Sequence, residues 1–184
     1  MVATPCTSWS IARNRTNVIR TSAEPWYTSF PTRPFSANDL AALEEGNLLM
    51  RNALDILRCA RQHRVSWIFE HPAGSYVFHT DEFQHFLAQP RVHSVVVDQC
   101  AFGGPFRKRT KLVLSDCGLD RFGVLFCAAC RGTHACDYSG RRHLQVAGKK
   151  LCRQPQQYSQ RFATSLAKIL VESTLDRRTA MSGH

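Results

Sequence analysis

The chain has 184 residues, of which 43% are hydrophobic, and this is enough apolar material for one domain with an ordinary core. No apolar run reaches about 18 residues and no signal-peptide-like stretch opens the chain, so we expect no membrane association and an intracellular setting, cytoplasmic or nuclear. The 24 Lys and Arg residues against 14 Asp and Glu give a formal net charge of +10. Such an excess favours polyanionic partners, of which nucleic acid is the commonest.

The first third of the chain predicts a loop followed by a long helix. Residues 1–35 are rich in Pro, Thr, Ser and Asn, which is typical of irregular structure. Ser36 and Asp39 then have the spacing of a capping box. Apolar residues at helical spacing continue from there to about Gln62, with Gly46 as a candidate break.

Strands and helices alternate in the remainder. VSWIFE (65–70), HSVVVDQC (93–100) and TKLVLS (110–115) predict buried strands. Helices are predicted over 81–89, which Pro90 ends, and over 156–173, which has an apolar stripe. This alternation, with nearly continuous apolar strands, predicts an α/β fold with a mostly parallel sheet that is covered on both faces.

Three segments place reactive or charged residues near expected strand ends, where α/β sheets carry their functional groups. TPCTSWSIARN, from Thr4, presents Cys6 in a polar loop, where a thiolate can act as a nucleophile. FEHP puts Glu70 after a strand, and DQCAFGGPFRKRTKL, from Asp98, combines a glycine turn with three consecutive basic residues. Taken singly, these segments equally fit a buried cysteine, a surface glutamate and a solvated basic hairpin.

Taken in order, the three segments resemble the cytosine-5 DNA methyltransferases, and most closely the divergent methylase-like proteins of phages, viruses and some protists. PCTSWSIARN resembles that family's Pro-Cys nucleophile loop, and FEHP resembles its Glu-Asn-Val or Glu-Asn-Pro motif. FGGPFRKRTKLVL resembles its Tyr-Gly-x-Pro-Gln-x-Arg-x-Arg motif. The resemblance covers about residues 3–115 and implies a partial Rossmann-like methyltransferase fold.

The resemblance implies covalent catalysis on a cytosine that is flipped out of DNA. Cys6 would add to carbon 6 of the ring, which makes carbon 5 nucleophilic enough to take the methyl group of S-adenosylmethionine. Glu70 would bind the ring nitrogen and the exocyclic amine. Arg107 and Arg109 would contact the base carbonyl or the thiolate region, with a register uncertain by one residue. The implied substrate-binding residues are Ser8, Ser10, Lys108 and Thr110.

Some positions depart from the family's pattern. No glycine-rich loop for S-adenosylmethionine precedes Cys6, so we expect the cofactor-binding half to be missing or to come from a separate chain. His71 stands where the family has Asn, and Phe106 stands where it has Gln. The sequence therefore predicts a methyltransferase-like protein that is incomplete or needs a partner half. The alternative is a non-catalytic nucleic-acid-binding module derived from such an enzyme.

A Cys-rich irregular insert, 116–152, follows the catalytic half, 1–115. A helix that packs on the sheet, 153–174, and a tail, 175–184, complete the predicted organisation. The insert contains a Cys-x-x-Cys knuckle with two flanking cysteines and nearby histidines. This pattern fits a structural zinc site or a reduced DNA-recognition module, but in the absence of a second knuckle four reduced thiols that bind nothing fit it better. The candidate zinc ligands are Cys117, Cys127, Cys130 and Cys136.

We predict that the chain binds DNA chiefly through backbone charge, because of its net charge of +10 and its RKRTK run. Affinity, measured by fluorescence anisotropy, should fall steeply between low and physiological salt. Replacing Arg107, Lys108 and Arg109 by Ala should weaken binding to unrelated DNA sequences alike. Binding that responds to neither change would contradict this electrostatic mode.

Overall fold

The computed structural model describes residues 1–6, 8–11, 17–115, 128–132, 135–144 and 158–182, with no side-chain description at 176–178 and 180–182. This part of the chain forms an open four-stranded sheet with helices on both faces. The strands are β1 (Val2–Ala3), β2 (Trp67–Pro72), β3 (Val92–Asp98) and β4 (Arg109–Ser115). The helices are α1 (Ala37–Gln62), α2 (Asp81–Leu87) and α3 (Gln160–Ser182), and two 3₁₀ helices span Tyr76–His79 and Gln99–Phe102.

Helix α1 begins at the predicted capping box. The Ser36 hydroxyl accepts a hydrogen bond from the Asp39 amide at 3.2 Å, and the Asp39 carboxylate accepts one from the Ser36 amide at 3.0 Å. These two bonds satisfy amide groups that have no partner within the helix. The helix runs without a break through Gly46, which is buried against the side chain of Ser8.

The sheet is mixed, with the order β1-β2-β4-β3. Strands β1 and β2 are parallel, whereas β4 is antiparallel to both β2 and β3. The α/β class is confirmed, but the expectation of a mostly parallel sheet was wrong. The reason is the connection between β3 and β4, residues 99–108, which is shorter than the dozen or more residues that a parallel crossover needs.

This topology brings four segments to one edge of the sheet. Since β1, β2 and β3 run in the same direction, their carboxyl ends lie together, and the antiparallel β4 begins where they end. We call this the carboxyl edge and define it by Cys6, Glu70, Asp98 and the start of β4 at residues 107–109. The three motifs therefore converge, although they are far apart in sequence.

The two faces of the sheet have separate cores. Because side chains alternate along a strand, Phe69 and His71 of β2 face α1 and α2, and Ile68 and Glu70 face α3. The α1 face is largely aromatic, and several of its rings meet edge to face. The α3 face is built from aliphatic strand residues and one side of α3; its helix residues are Phe162, Leu166 and Ile169.

The remaining differences from the predicted elements are small. Each of the three predicted strands begins or ends within two residues of its expected position, and β1 supplies a strand ahead of Pro5. Helix α3 continues through most of the segment expected to be a tail. Within the described ranges, no helix combines the length and the apolar character that crossing a bilayer requires.

We predict that Gly46→Ala destabilises the fold, although Ala is favoured over Gly inside a helix by about 1 kcal/mol. The added carbon would lie 2.0 Å from Ser8 Oγ and 3.2 Å from Arg20 Nη2. We expect a loss of about 1–3 kcal/mol in the free energy of unfolding, measured in urea, because the packed loop must move. The matched control is Glu45→Ala at the exposed neighbouring position, which should change stability by less than about 0.5 kcal/mol. A more stable Gly46→Ala protein would refute the close packing of the loop on α1.

Candidate functional site

The loop that carries Cys6 is a tight turn anchored to α1. The carbonyl of Cys6 accepts hydrogen bonds from the amides of Trp9 at 3.1 Å and Ser10 at 2.9 Å. Trp9 is fully buried, and its indole nitrogen donates to the carbonyl of Gly46 at 2.9 Å. The Trp9 carbonyl in turn accepts from the amide of Tyr76. Cys6 therefore lies on a loop that the core holds in place.

Arg20 fixes the other side of this loop. Its guanidinium is fully buried, lies 3.7 Å from the centre of the Trp9 ring, and donates to the Ser8 carbonyl and the Ser8 hydroxyl, both at 3.0 Å. Further bonds reach Asn47 and the carbonyls of residues 25 and 26. Burial lowers the pKa of Arg20 to about 9, so the group is still charged at neutral pH. No local sequence pattern predicts this role, because a lone Arg in a polar loop is usually solvated.

Glu70 is the buried charge of the site, with 3% of its surface exposed. One carboxylate oxygen lies 3.5 Å from the Lys108 ammonium, and the other accepts a 2.5 Å hydrogen bond from the Tyr158 hydroxyl. The Lys108 ammonium also lies 5.2 Å from the centre of the Tyr158 ring. Burial and the adjacent carboxylate raise the pKa of Tyr158, so its phenol stays a donor. Tyr158 was not predicted, because it joins the site from just ahead of α3.

Cys6 lies within the electrostatic reach of both charges. Partial burial and, to a smaller extent, the Glu70 carboxylate raise the pKa of the Cys6 thiol, whereas the Lys108 ammonium lowers it. The net effect is a raised pKa. The resting cysteine is therefore a thiol, and its ionisation depends on the balance between Glu70 and Lys108. The structure thus brings together a nucleophile, a carboxylate and an ammonium that the sequence had placed in three separate motifs.

The arginines of the basic run lie around this group. Arg107 is exposed, and its Nε is 3.5 Å from a carboxylate oxygen of Asp98, while the Arg109 side chain is exposed to solvent. Lys108, which lies between them, is the basic residue that faces Glu70. The expected catalytic contacts of Arg107 and Arg109 stay predictions, and the structure assigns the contact with the carboxylate to Lys108.

The expected substrate-binding hydroxyls have structural partners. Ser8 is buried and bonded to Arg20, and Ser10 forms an isolated β-bridge with Ser75. Thr110 is fully buried, accepts a hydrogen bond from Gln99 at 3.0 Å, and donates to the carbonyl of Lys108 at 3.4 Å. These residues shape the Cys6 loop and the start of β4.

His71, which follows Glu70, is fully buried on the opposite face of the sheet. Its ring stacks on Phe69 with 5.8 Å between the ring centres, and neither ring nitrogen has a hydrogen-bond partner among the described residues. Burial, assisted by the nearby Lys108 charge, lowers the pKa of His71 to about 3, so the imidazole is neutral. It therefore packs as an aromatic ring and adds no charge to the site.

A second cluster lies beside the same edge, between the connection after β3 and the described part of the insert. Cys100, Cys130, Cys136 and His143 each offer one ligand atom, and these atoms all lie within 4.8 Å of one another. The Cys130 sulfur is 3.7 Å from the His143 Nε2 atom. Burial raises the pKa of Cys100; at Cys136 burial acts in the same direction, but hydrogen bonds that include those from Ser139 and Tyr138 lower the pKa to about 6. The cluster could hold a metal ion.

The observed cluster shares only two residues with the expected zinc site. Cys130 and Cys136 belong to both, whereas Cys117 and Cys127 lie outside the described residues, and the predicted set of four stays a prediction. Cys100 was missed because it follows β3 and lies 30 positions before Cys130 in the sequence. The signal that could have found it is its place directly after a strand that ends at the carboxyl edge.

The glycine turn of the third motif does not fit S-adenosylmethionine. The glycine turn of the third motif serves the reversal of the chain itself: Gly103 has φ +84°, and a Cβ on Gly104 would lie 3.0 Å from the carbonyl oxygen of Gln99. Such a turn leaves no cradle for a ligand. A site for the methyl donor would therefore have to be built from other residues or from another chain.

No family model, no curated protein and no solved structure matches this chain. The function therefore has to follow from the chemistry of the carboxyl edge itself.

We predict opposite shifts in the pKa of Cys6 when its two charged neighbours are removed. Glu70→Gln should lower this pKa, because a repelling negative charge is lost, and Lys108→Met should raise it, because an attracting positive charge is lost. The measurement is the midpoint of the rate of Cys6 alkylation by iodoacetamide against pH, followed by peptide mass spectrometry. Each pKa unit changes the thiolate fraction about tenfold on the acidic side.

The exposed Cys59 of α1 is the internal reference in every sample, and its profile should not move. Shifts of the same sign in both variants would mean that Glu70 and Lys108 do not act on Cys6 as charges.

Proposed function

We propose that this chain is a DNA (cytosine-5)-methyltransferase-like protein, in which the carboxyl edge binds a flipped-out cytosine and Cys6 adds to its carbon 6. One observation carries the proposal: Cys6, Glu70 and Lys108 come from three distant segments and meet at a single edge, where β1 pairs with β2 at Ala3 and Glu70 and the Lys108 ammonium lies 3.5 Å from the Glu70 carboxylate. A thiolate, a carboxylate and a cation are the groups that addition to a pyrimidine ring requires.

Each group has a defined part in the proposed addition. The sulfur of Cys6 forms a bond to carbon 6, the carbon 5–carbon 6 double bond breaks, and its electron pair moves into the ring toward the ring nitrogen and carbon 5. Glu70 binds the exocyclic amine and, with a proton, the ring nitrogen, where this charge develops. The Cys6 thiol first gives its proton to solvent, and Lys108 stabilises the resulting thiolate until it attacks.

The resting contacts of Glu70 also fit a base-binding role. Both of its oxygens are occupied, one by Lys108 and one by the phenol of Tyr158. A buried carboxylate without such partners would cost several kcal/mol. A cytosine edge offers an amine donor and an accepting ring nitrogen. With one proton shared between that nitrogen and the carboxyl group, the incoming base would replace the Tyr158 contact with a bidentate one.

The surroundings of the edge suit DNA. Arg107 and Arg109 flank Lys108 in the sequence and are exposed, so they can contact phosphates next to the flipped base. The net charge of +10 supports the same partner. The charge alone supports equally a non-catalytic module that binds nucleic acid.

The methyl donor enters the proposal as a second component. S-adenosylmethionine supplies the methyl group in such chemistry, and the glycine turn at residues 103 and 104 forms no cradle for it. Among the described strands β1 pairs only with β2, so the outer side of β1 can accept a further strand from a donor-binding segment of this or a separate chain. The addition itself needs only the residues of the carboxyl edge.

We predict that the chain exchanges the hydrogen on carbon 5 of cytosine with solvent in the absence of any methyl donor. Addition of Cys6 makes carbon 5 basic enough to take a deuteron from heavy water. Loss of the original proton and elimination of the thiolate then restore the double bond with deuterium on carbon 5. The substrate is a duplex with one mismatched cytosine, because unpaired bases flip out at lower cost. The readout is the mass of the cytosine nucleoside after digestion.

Exchange should vanish in Cys6→Ser and persist in Cys59→Ser, the matched cysteine control. Glu70→Gln should slow the exchange by about 100-fold or more, the usual size of an acid–base contribution, even though this change favours the thiolate. Exchange that survives Cys6→Ser would exclude Cys6 as the nucleophile. DNA binding without exchange in the wild type would favour the non-catalytic binding module.

A further inference from the structure

We propose that Cys100, Cys130, Cys136 and His143 bind one zinc ion in a closed, structural site. This inference is independent of the proposed base chemistry, since none of the four residues belongs to the Cys6 group. The four ligand atoms lie within 4.8 Å of one another, and the three cysteines are at most 3% exposed. They come from two separate segments of the chain, the start of the connection after β3 and the described part of the insert.

The donor set and its dimensions fit zinc. With zinc–sulfur bonds of about 2.3 Å, tetrahedral ligand atoms are about 3.7 Å apart, and the Cys130 sulfur already lies 3.7 Å from His143 Nε2. Thiolate and imidazole ligands select zinc over magnesium or calcium, which prefer oxygen. Three cysteines and one histidine complete a four-coordinate shell, which is typical of structural and not of catalytic zinc.

The packing around the cluster supports a metal over plain burial of thiols. Among the described residues, Cys100, Cys130 and Cys136 form a hydrophobic cluster of their own, joined by no aliphatic or aromatic side chain. Three cysteine side chains bury too little apolar surface to hold the described residues 128–132 and 135–144 in a fixed conformation. In small metal-binding domains, the free energy of metal binding stabilises the folded conformation where the apolar core is too small to do so.

The turns between the ligands need their particular residues. A Cβ at Gly132 would lie 1.7 Å from the Ala135 carbonyl oxygen, so only glycine fits at position 132. Asp137 closes this turn by accepting hydrogen bonds from the amides of residues 131 and 132. Gly140 has φ +65°, and its amide donates to the Cys136 carbonyl at 2.8 Å on the way to His143.

The cluster is also tied to the segment that supplies Lys108. The Asp98 amide donates to the Ala128 carbonyl, and the Cys130 amide donates to the Asp98 carboxylate, both at 2.8 Å. The Leu144 amide donates to the Pro105 carbonyl at 3.0 Å. A zinc ion bound here would therefore fix the connection between β3 and β4 against the insert.

The test uses the full chain purified without chelators. We expect one zinc per chain by elemental mass spectrometry and loss of zinc affinity by about 100-fold or more in Cys100→Ser, Cys136→Ser and His143→Ala, measured by competition with a chelator. His143→Cys should retain zinc, because a fourth thiolate can replace the imidazole. Cys59→Ser, on the exposed face of α1, is the control and should bind zinc normally.

Two further measurements keep the test decisive if a variant fails to fold. Cobalt bound to the wild type should give the intense visible absorption of a tetrahedral thiolate site, and His143→Cys should alter it. Removal of zinc should speed hydrogen exchange of the amides at 98–108. A chain free of metal with reactive thiols, or a disulfide among the three cysteines, would overturn the proposal. So would zinc binding that depends on Cys117 and Cys127 and survives Cys100→Ser.

Discussion

The buried charge of Glu70 sets the arrangement of the carboxyl edge. A carboxylate with 3% of its surface exposed must be matched by donors, because an unpaired buried charge would cost several kcal/mol. Lys108 from the start of β4 and Tyr158 from just ahead of α3 meet this requirement. The contact between Glu70 and Lys108 thus joins β2 to the basic run, and the contact with Tyr158 joins both to the helix on that face. A residue in the carboxyl half of β2 thereby fixes the positions of two other segments.

The antiparallel β4 makes this contact available. In a fully parallel sheet the segment before a strand lies at the opposite edge from the segments that follow the other strands. Because β4 reverses after residues 99–108, its first residues lie beside the ends of β2 and β3. The register pairs Asp98 with Arg109, and the same reversal places Cys100 next to the cysteines of the insert. One short connection thus serves both the Cys6 group and the metal cluster.

The sequence predicted the local features well and the long-range ones poorly. The capping box at Ser36, the helices and the strands followed from spacing and composition, because these signals act within a few residues. The strand directions did not, although the length of the connection between β3 and β4 already excluded a parallel pair. Within the site, Cys6 and Glu70 stood out by their motifs. Other roles in the two sites depend on which segments meet in space, and no local sequence pattern encodes those contacts. These are the roles of Lys108, Tyr158, Arg20 and Cys100.

The state of Cys6 follows from its burial and from the charges of Glu70 and Lys108. A permanently ionised thiolate would react with oxidants and alkylating agents whether or not a substrate were present. Here burial and the Glu70 carboxylate hold the sulfur as a thiol, and Lys108 opposes them. In the proposed reaction a bound cytosine engages the Glu70 carboxylate and shares a proton with it, which weakens the repulsion on the sulfur while Lys108 still acts. The Cys6 thiolate would then form only when its target carbon is bound. The Glu70 carboxylate would thus suppress the ionisation of Cys6 in the free protein and permit it in the complex with cytosine.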